Sequence, residues 1–542
     1  MVHTFSRRDF LRTGLYGLAG ATMLGPGIIS SLAANSEPVE AIVIGSGFGG
    51  AVAALRLAQA GVRTLMLERG RRWTVTPEQN TFATLPNPDG RAAWLSSTTV
   101  IGNPVPIDVY TGVLERTIED GMTVFAGAGV GGGSLVYNGV TYQPTRELFE
   151  RSFGRTISYD EMEETFYPRV RAMLNPSKLP ADILATDYYR MTRMFLEMAD
   201  KAGLHGRLAD MNIDWNAVRG EIEGSRVHSA LNGEFWYGNN SGCKNSLDRN
   251  YLAEAEASGY LQIMPLTVVT EITDAPGHRY VVTCDRIDET GRPERRVQFT
   301  CNQLFLAAGS MGTSKMLVKA KAKGTLPKLN EHVGRSWGNN GDFFGMQVGL
   351  PDTNPGQGGP ASAIIEDHNN PLGPTAVMCA PQWDAQGGII NTLGLSIPPA
   401  LGSFRYDAAT DSVKLNWPGN DPRIARTVEA GRQTYETLNR ASTTAEHQPA
   451  TAFVAGGLTA HPLGGAVLGK ACDKYGRVEG YQNLYVVDGA LIPGTSGCTN
   501  PSFTIAALAE RCMEKIVPEI VEKGGRKLFA VASRRRSAGA RA

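Results

Sequence analysis

The chain has 542 residues, room for roughly two to four domain-sized units rather than one core. Lys+Arg and Asp+Glu each number 53, so the formal net charge is zero and neither nucleic acid nor an acidic substrate is implied. Hydrophobic residues at 42% and charged ones at 20% fit a globular chain, and the 63 glycines, many in short clusters, suit close backbone approach to a ligand.

The N-terminus reads MVHTFSRRDFLRTGLYGLAGATMLGPGIISSLAAN. Arg7 and Arg8 precede Asp9-Phe10-Leu11, a moderately apolar segment and small residues near Ala33. That order predicts a twin-arginine export signal over 1–34 and a periplasmic or extracellular destination. The route carries proteins folded before export, which suits a cofactor loaded in the cytoplasm. No other run of about 18 apolar residues occurs, so no membrane span is expected.

Next comes VEAIVIGSGFGGAVAALRLAQAGVRTLMLERG. Val39 to Ile44 is β-branched and apolar and predicts a buried strand. Gly45, Gly47 and Gly50 form G-x-G-x-x-G, with Ser46 and Gly49 in the same loop. Ala51 to Ala60 has small and aliphatic residues at helical spacing, and Thr64 to Leu67 predicts a second strand ending at Glu68. Gly45 permits the tight turn, Gly47 admits a pyrophosphate to the backbone, and Gly50 lets helix and strand pack closely. The helix N-terminus offers free N–H groups to phosphate, and Glu68 can accept from a ribose hydroxyl. The unit predicts a dinucleotide site without separating FAD from NAD, while the acid at 68 disfavours the 2′-phosphate of NADP. Two later segments, VFAGAGVGGGSLVYNGVTY (124–142) and CNQLFLAAGSMGTSKML (301–317), add a second glycine cluster with Asn138 and another strand-to-turn unit. A dinucleotide site closed by segments so far apart resembles the extended sites of flavoproteins and tips the balance toward FAD.

GLPDTNPGQGGPASA (349–363) reads as an exposed loop. Seven cysteines lack CxxC or Cys/His metal spacing, so no metal and at most one disulfide are expected. Near the C-terminus, GGLTAHPLGGAVLGKACDKYGRV carries His461 before Pro462, and GTSGCTNPSFTIAALAER carries Asn500 before Pro501. Histidine, with a pKa near neutrality, is the usual general base for a hydroxyl within hydrogen-bond reach. An amide can hold the same oxygen without adding a titrating group.

The N-terminal fingerprint, GGGSLVYNGV, LFLAAGSMGTSKML, AHPLGGAVLGK, NLYVVDGALIPGTSG and NPSFTIAALAER together resemble the glucose–methanol–choline (GMC) oxidoreductases, FAD-dependent alcohol oxidases and dehydrogenases. YGNNSGCKNSLDRNYL, WGNNGD and YDAATDSVKLNW are most similar to the branch of bacterial cholesterol oxidases with non-covalent FAD. The resemblance implies an α/β, two-domain chain. A Rossmann-like FAD domain, discontinuous in sequence, is expected over 38–72, 226–318 and 462–522. A substrate domain of mixed sheet and helices is expected over 73–225 and 319–461, with a basic tail over 523–542. It implies that Gly45, Ser46, Gly47, Gly49, Gly50, Glu68, Gly132, Gly133, Ser134, Asn138, Val269, Asp488, Gly489, Asn500, Pro501 and Phe503 hold FAD. It also makes His461 and Asn500 the catalytic pair.

One departure matters for the product. Cholesterol oxidases of this type carry a glutamate in a short A-E-I-A-P strand, the base that moves a ring double bond after oxidation. Here the segment reads TAVMCAPQ, and the position falls on Met378 or Cys379, read as pocket lining. Glu366, upstream in IIEDHNN, is the candidate substitute. The expectation is an exported oxidase of a bulky hydrophobic secondary alcohol, 3β-hydroxysteroid-like, reducing O2 to H2O2 without isomerisation. Its expected partners are that alcohol, O2 and a membrane surface touched peripherally, with no nucleic acid and a monomeric state. Alternatives are a dehydrogenase passing electrons to a quinone or cytochrome, a flavin-bearing sterol- or lipid-binding protein without turnover, and an NAD-linked dehydrogenase.

Overall fold

The computed structural model describes residues 38–353, 357–381 and 387–523. The predicted export signal and all of the basic tail beyond residue 523 lie outside the described residues.

Two large sheets organise the chain. The first runs Leu261–Met264, Thr64–Leu67, Val39–Ile44, Pro293–Leu306, Arg279–Ile287, Thr267–Ala275. The first three strands and the C-terminal part of Pro293–Leu306 pair in parallel, and Leu484–Val486 joins the same stretch through Leu304 to Leu306. The remaining two strands form an antiparallel extension. Parallel strands covered on both faces need continuous apolar runs, as VEAIVI and TLML provide. Helix Phe48–Gln59, whose buried residues include Ala51, Ala53, Ala54 and Ala58, packs against helix Ser502–Lys523. Small side chains there let the two axes approach closely.

The second sheet is antiparallel: Ala450–Ala455, Phe343–Val348, Ile390–Leu395, Thr375–Ala380, Ala363–Asp367, His205–Leu208. Helices Arg190–Ala202 and Pro422–Ser442 cover one face, burying Phe343, Ile365, Val377 and Cys379. Strand alternation sends Ile364, Ala376, Met378 and Leu395 to the other face, where they pack with Tyr142, Phe235 and Cys498. The expected α/β organisation is therefore present, with the nucleotide-type loop on the first sheet. Among the described residues, no helix is long and apolar enough to cross a membrane.

The 349–363 segment departs from its reading as an exposed loop. Residues 357–363 are buried, and 354–356 lie outside the described residues. The Gly358 and Gly359 N–H groups donate to the carbonyls of Tyr188 and Ala230, and the Tyr189 hydroxyl donates to the Gly359 carbonyl at 2.8 Å. A side chain at Gly358 would meet the Tyr189 ring at 3.0 Å, and one at Gly359 the Phe235 ring at 2.7 Å. These glycines serve close packing under aromatic rings, a use that composition alone does not separate from a solvated turn.

Candidate active site

The turn after the first strand is tight: Gly45 has φ +97°, and a Cβ there would lie 2.3 Å from the Ala307 carbonyl. A Cβ at Gly50 would strike the Gly45 carbonyl at 2.1 Å, and one at Gly49 the Val487 carbonyl at 1.9 Å. Gly47 differs, because its Cβ position meets nothing within 4 Å. The second glycine loop lies against it: a Cβ at Gly132 would sit 2.7 Å from the Gly47 Cα, while Gly133 again faces open space. Ser46 joins the parts. Its hydroxyl donates to Glu68 Oε2 at 2.6 Å and accepts the Gly131 N–H at 3.0 Å. The Ser46 N–H also donates to Glu68 Oε2, at 3.1 Å, and the Gly70 N–H to Oε1, at 2.9 Å. Ser134 donates to the Gly131 carbonyl and accepts the Leu247 N–H, so it holds the second loop's shape. Beneath that loop, the buried Lys244 ammonium donates to the Leu135 and Phe235 carbonyls at 2.8 and 3.3 Å. Burial lowers its pKa to about 7.

The strand carrying Val269 docks beside Glu68, whose carbonyl accepts the Thr267 N–H at 2.9 Å. Asp488 is buried against the first helix, its Cα 3.0 Å from where a Gly49 Cβ would be. Burial pushes its carboxyl up to about 6, although the Thr313 hydroxyl and the Ala490 N–H donate to it at 2.5 and 2.9 Å. Gly489 opens the 3-10 turn Gly489–Leu491 that follows. Pro501 starts helix Ser502–Lys523 by accepting the Ile505 N–H, and Phe503 is fully buried against Tyr167. Asn138 turns toward the second sheet, where its Oδ1 accepts the Ala361 N–H at 3.3 Å.

His461 and Asn500 lie side by side, with Asn500 Nδ2 3.4 Å from His461 Nε2. The imidazole is oriented by a residue the sequence reading did not single out. Asp342, 1% exposed, places Oδ1 2.9 Å from His461 Nδ1, while its Oδ2 accepts the Thr459 hydroxyl and the Ala460 N–H at 2.9 and 3.0 Å. A carboxylate only accepts, so the proton sits on Nδ1 and the Nε2 lone pair faces Asn500. The same turn holds the asparagine's loop: Asn340, at φ +58°, accepts the Ser496 N–H and donates to the Thr499 carbonyl, both at 2.9 Å. Asn500 is 8% exposed, and its Oδ1 is buried without a hydrogen-bond partner among the described residues. Such an acceptor is expensive unless a ligand completes it.

Phe125 continues the strand that pairs with Leu458–Thr459, just before His461, and Phe344 lies two residues after Asp342. Trp236 bridges them, with ring centroids 6.2 Å from Phe125 and 6.3 Å from Phe344. Met378 shares the Cys498 side of the second sheet. Cys379 does not: it packs beneath the two helices on the opposite face, donating toward the Ala363 carbonyl, because adjacent strand residues alternate. Glu366 is engaged by Tyr142 and by Arg207, whose Nη2 is 2.8 Å away. Burial raises its carboxyl, but those partners outweigh burial and hold it below the usual glutamate range.

Open glycine walls at Gly47 and Gly133, an acid at the second strand's end and an unpaired buried amide oxygen beside a histidine suit a flavin dinucleotide. Comparison with known proteins agrees. The GMC oxidoreductase N-terminal model matches residues 39–335 and the C-terminal model 401–509. The chain is 28% identical to a cholesterol oxidase of Mycobacterium tuberculosis over 87% of this chain and 90% of that one. It is 25% identical to a cholesterol oxidase of Acinetobacter baumannii over 89% and 95%. Among solved structures, pyridoxine 4-oxidase from Mesorbium loti shares the fold with TM-score 0.60 at 16% identity, covering 88% of this chain and 99% of that one. The N-terminal family model spans more than half of the residues, and the chain belongs to the GMC oxidoreductases, FAD-dependent enzymes acting on CH–OH groups.

Proposed function

We propose that the chain is an exported oxidase of a bulky hydrophobic secondary alcohol, of the 3β-hydroxysteroid type, with FAD held non-covalently. The observation that carries this reading is the His461–Asn500 pair, backed by Asp342. The cholesterol oxidases among its relatives support the steroid class. Bound FAD supplies the two-electron acceptor and is returned to its oxidised form by O2 with release of H2O2.

His461 Nε2 accepts the substrate hydroxyl proton as the carbinol C–H leaves as hydride. Asp342 holds the imidazole in the tautomer with a free Nε2 and stabilises the imidazolium that results. Asn500 Nδ2 donates to the substrate oxygen and fixes it between the two side chains. Met378 is buried and apolar on the Cys498 side, and Glu366 is occupied by Arg207 and Tyr142. No free carboxylate is assigned to shift a ring double bond, so the ketone leaves unisomerised.

The test is anaerobic mixing of the FAD-loaded protein with cholesterol, followed by flavin absorbance and product identification. Bleaching with the double bond left in place supports the reading. No bleaching with cholesterol removes the steroid class. Bleaching that air does not reverse but an added quinone does would replace the oxidase by a dehydrogenase.

A further inference from the structure

Behind the second glycine loop lies a cavity of about 610 Å³ that none of the dinucleotide-cradle residues lines. One wall is apolar and aromatic: Trp73, Val75, Pro77 and Phe82, with the Trp73 and Phe82 rings stacked at 5.5 Å. The opposite wall carries Arg226 and Arg249. Each guanidinium is steered by main-chain carbonyls, Arg226 Nη1 donating to Ser241 at 2.6 Å, and Arg249 Nη1 to Gly242 and Lys244 at 2.5 and 2.9 Å. Among the described residues neither has a carboxylate at ion-pair distance, and Nε and Nη2 of both lack a hydrogen-bond acceptor. The two guanidiniums are neighbours: their Nη1 atoms lie 3.8 and 4.0 Å from the point where a Gly242 side chain would begin, and Val75 is 3.6 Å from it, leaving Nε and Nη2 for a ligand. Gly242 leaves that space empty. Asp248, the wall's one acid, accepts its own Ser246 hydroxyl at 2.5 Å.

We propose that this cavity is a second ligand site, for an oxyanion carried on a flat apolar group: the carboxylate or phosphate is clamped between Arg226 and Arg249, and the apolar group lies along Val75 and Pro77. Two guanidiniums fixed by backbone carbonyls present forks that match a planar carboxylate or a phosphate face. The volume is that of small-molecule pockets, and an aromatic wall beside a few convergent polar groups is their usual make-up. The assignment stands apart from the alcohol site and does not depend on its substrate.

Titration calorimetry on the FAD-loaded protein tests it, with benzoate, phenyl phosphate and benzamide as probes. Benzoate or phenyl phosphate should bind and benzamide should not; whichever anion binds more tightly identifies the head group. Arg226→Gln and Arg249→Gln should each weaken the anion about tenfold or more, leaving alcohol-dependent flavin reduction unchanged. Inorganic phosphate should compete. Three results would overturn the proposal: no anion binding at about 10 mM, benzamide binding as well as benzoate, or unaltered binding in the double arginine variant, which would place the anion in the alcohol site.

Discussion

His461 Nδ1 and Asp342 Oδ1 stand 2.9 Å apart across 119 residues of sequence, and the other Asp342 oxygen is filled by the Thr459 hydroxyl and the Ala460 N–H. All three partners are donors. An amide at 342 either turns its NH2 toward Thr459 and Ala460 and loses the Ala460 bond, or turns it toward His461, where Nδ1 accepts only if the ring proton moves to Nε2. The expected outcome is retained FAD, alcohol-dependent flavin reduction slower by ~10²-fold, and stability lower by about 1–3 kcal/mol. Stopped-flow reduction and thermal unfolding of the same preparation check both parts. An unchanged reduction rate would show that the imidazole needs no carboxylate.

Gly47 and Gly49 separate cofactor binding from folding. Gly47 has φ −70° and open space at its Cβ position, so Gly47→Ala should fold with stability equal to the parent or up to about 1 kcal/mol higher. The new methyl then stands where the pyrophosphate approaches, and FAD affinity should fall by ~10-fold or more. Gly49→Ala instead drives a Cβ to 1.9 Å from the Val487 carbonyl and should cost about 3 kcal/mol or more. Apo-protein melting and flavin titration of the two variants distinguish these outcomes, and equal FAD affinity in Gly47→Ala would move the phosphates elsewhere.

Glu234 predicts a pH dependence of stability. It is 8% exposed, and burial, with the neighbouring Glu221 charge adding to it, pushes its pKa up to about 7 against the lowering bond from Ser229. The folded protein therefore binds this proton more tightly than the unfolded chain. The contribution is whole below pH 4.5, declines as pH rises, and is gone above pH 7, a loss of about 3 kcal/mol. Glu234→Gln, neutral throughout, should melt higher than the parent at pH 8, with the gap closing toward pH 4.5. A pH-independent gap would mean that the carboxyl is not buried as charge.

The product carries another prediction. With Glu366 held by Arg207 and Tyr142, Glu366→Gln should leave the ratio of isomerised to unisomerised ketone where it was. Chromatography of the product from cholesterol reads this directly. A conjugated enone from the parent that disappears in the variant would make Glu366 the missing base.

What was legible in the chain was what lies close together in it. Gly45 to Glu68 is one strand–turn–helix–strand unit, and its glycines meet the contacts their spacing implies, with Gly49 as close to the Val487 carbonyl as Gly50 is to that of Gly45. His461 and Asn500 were named through the family resemblance, and the structure sets them 3.4 Å apart. Asp342 was present only inside WGNNGD, because no periodicity ties a carboxylate to a histidine 119 residues away. Met378 and Cys379 stayed interchangeable until strand alternation put them on opposite faces. Gly358 and Gly359 looked like a solvated loop because composition does not show which aromatic ring will lie over a glycine.

The most direct test of the account is the rate of anaerobic flavin bleaching by cholesterol in the parent and in His461→Ala, both loaded with FAD. The account predicts equal flavin content and a rate at least ~10²-fold lower in the variant. Equal rates, with flavin content matched, would contradict His461 as the base that takes the hydroxyl proton.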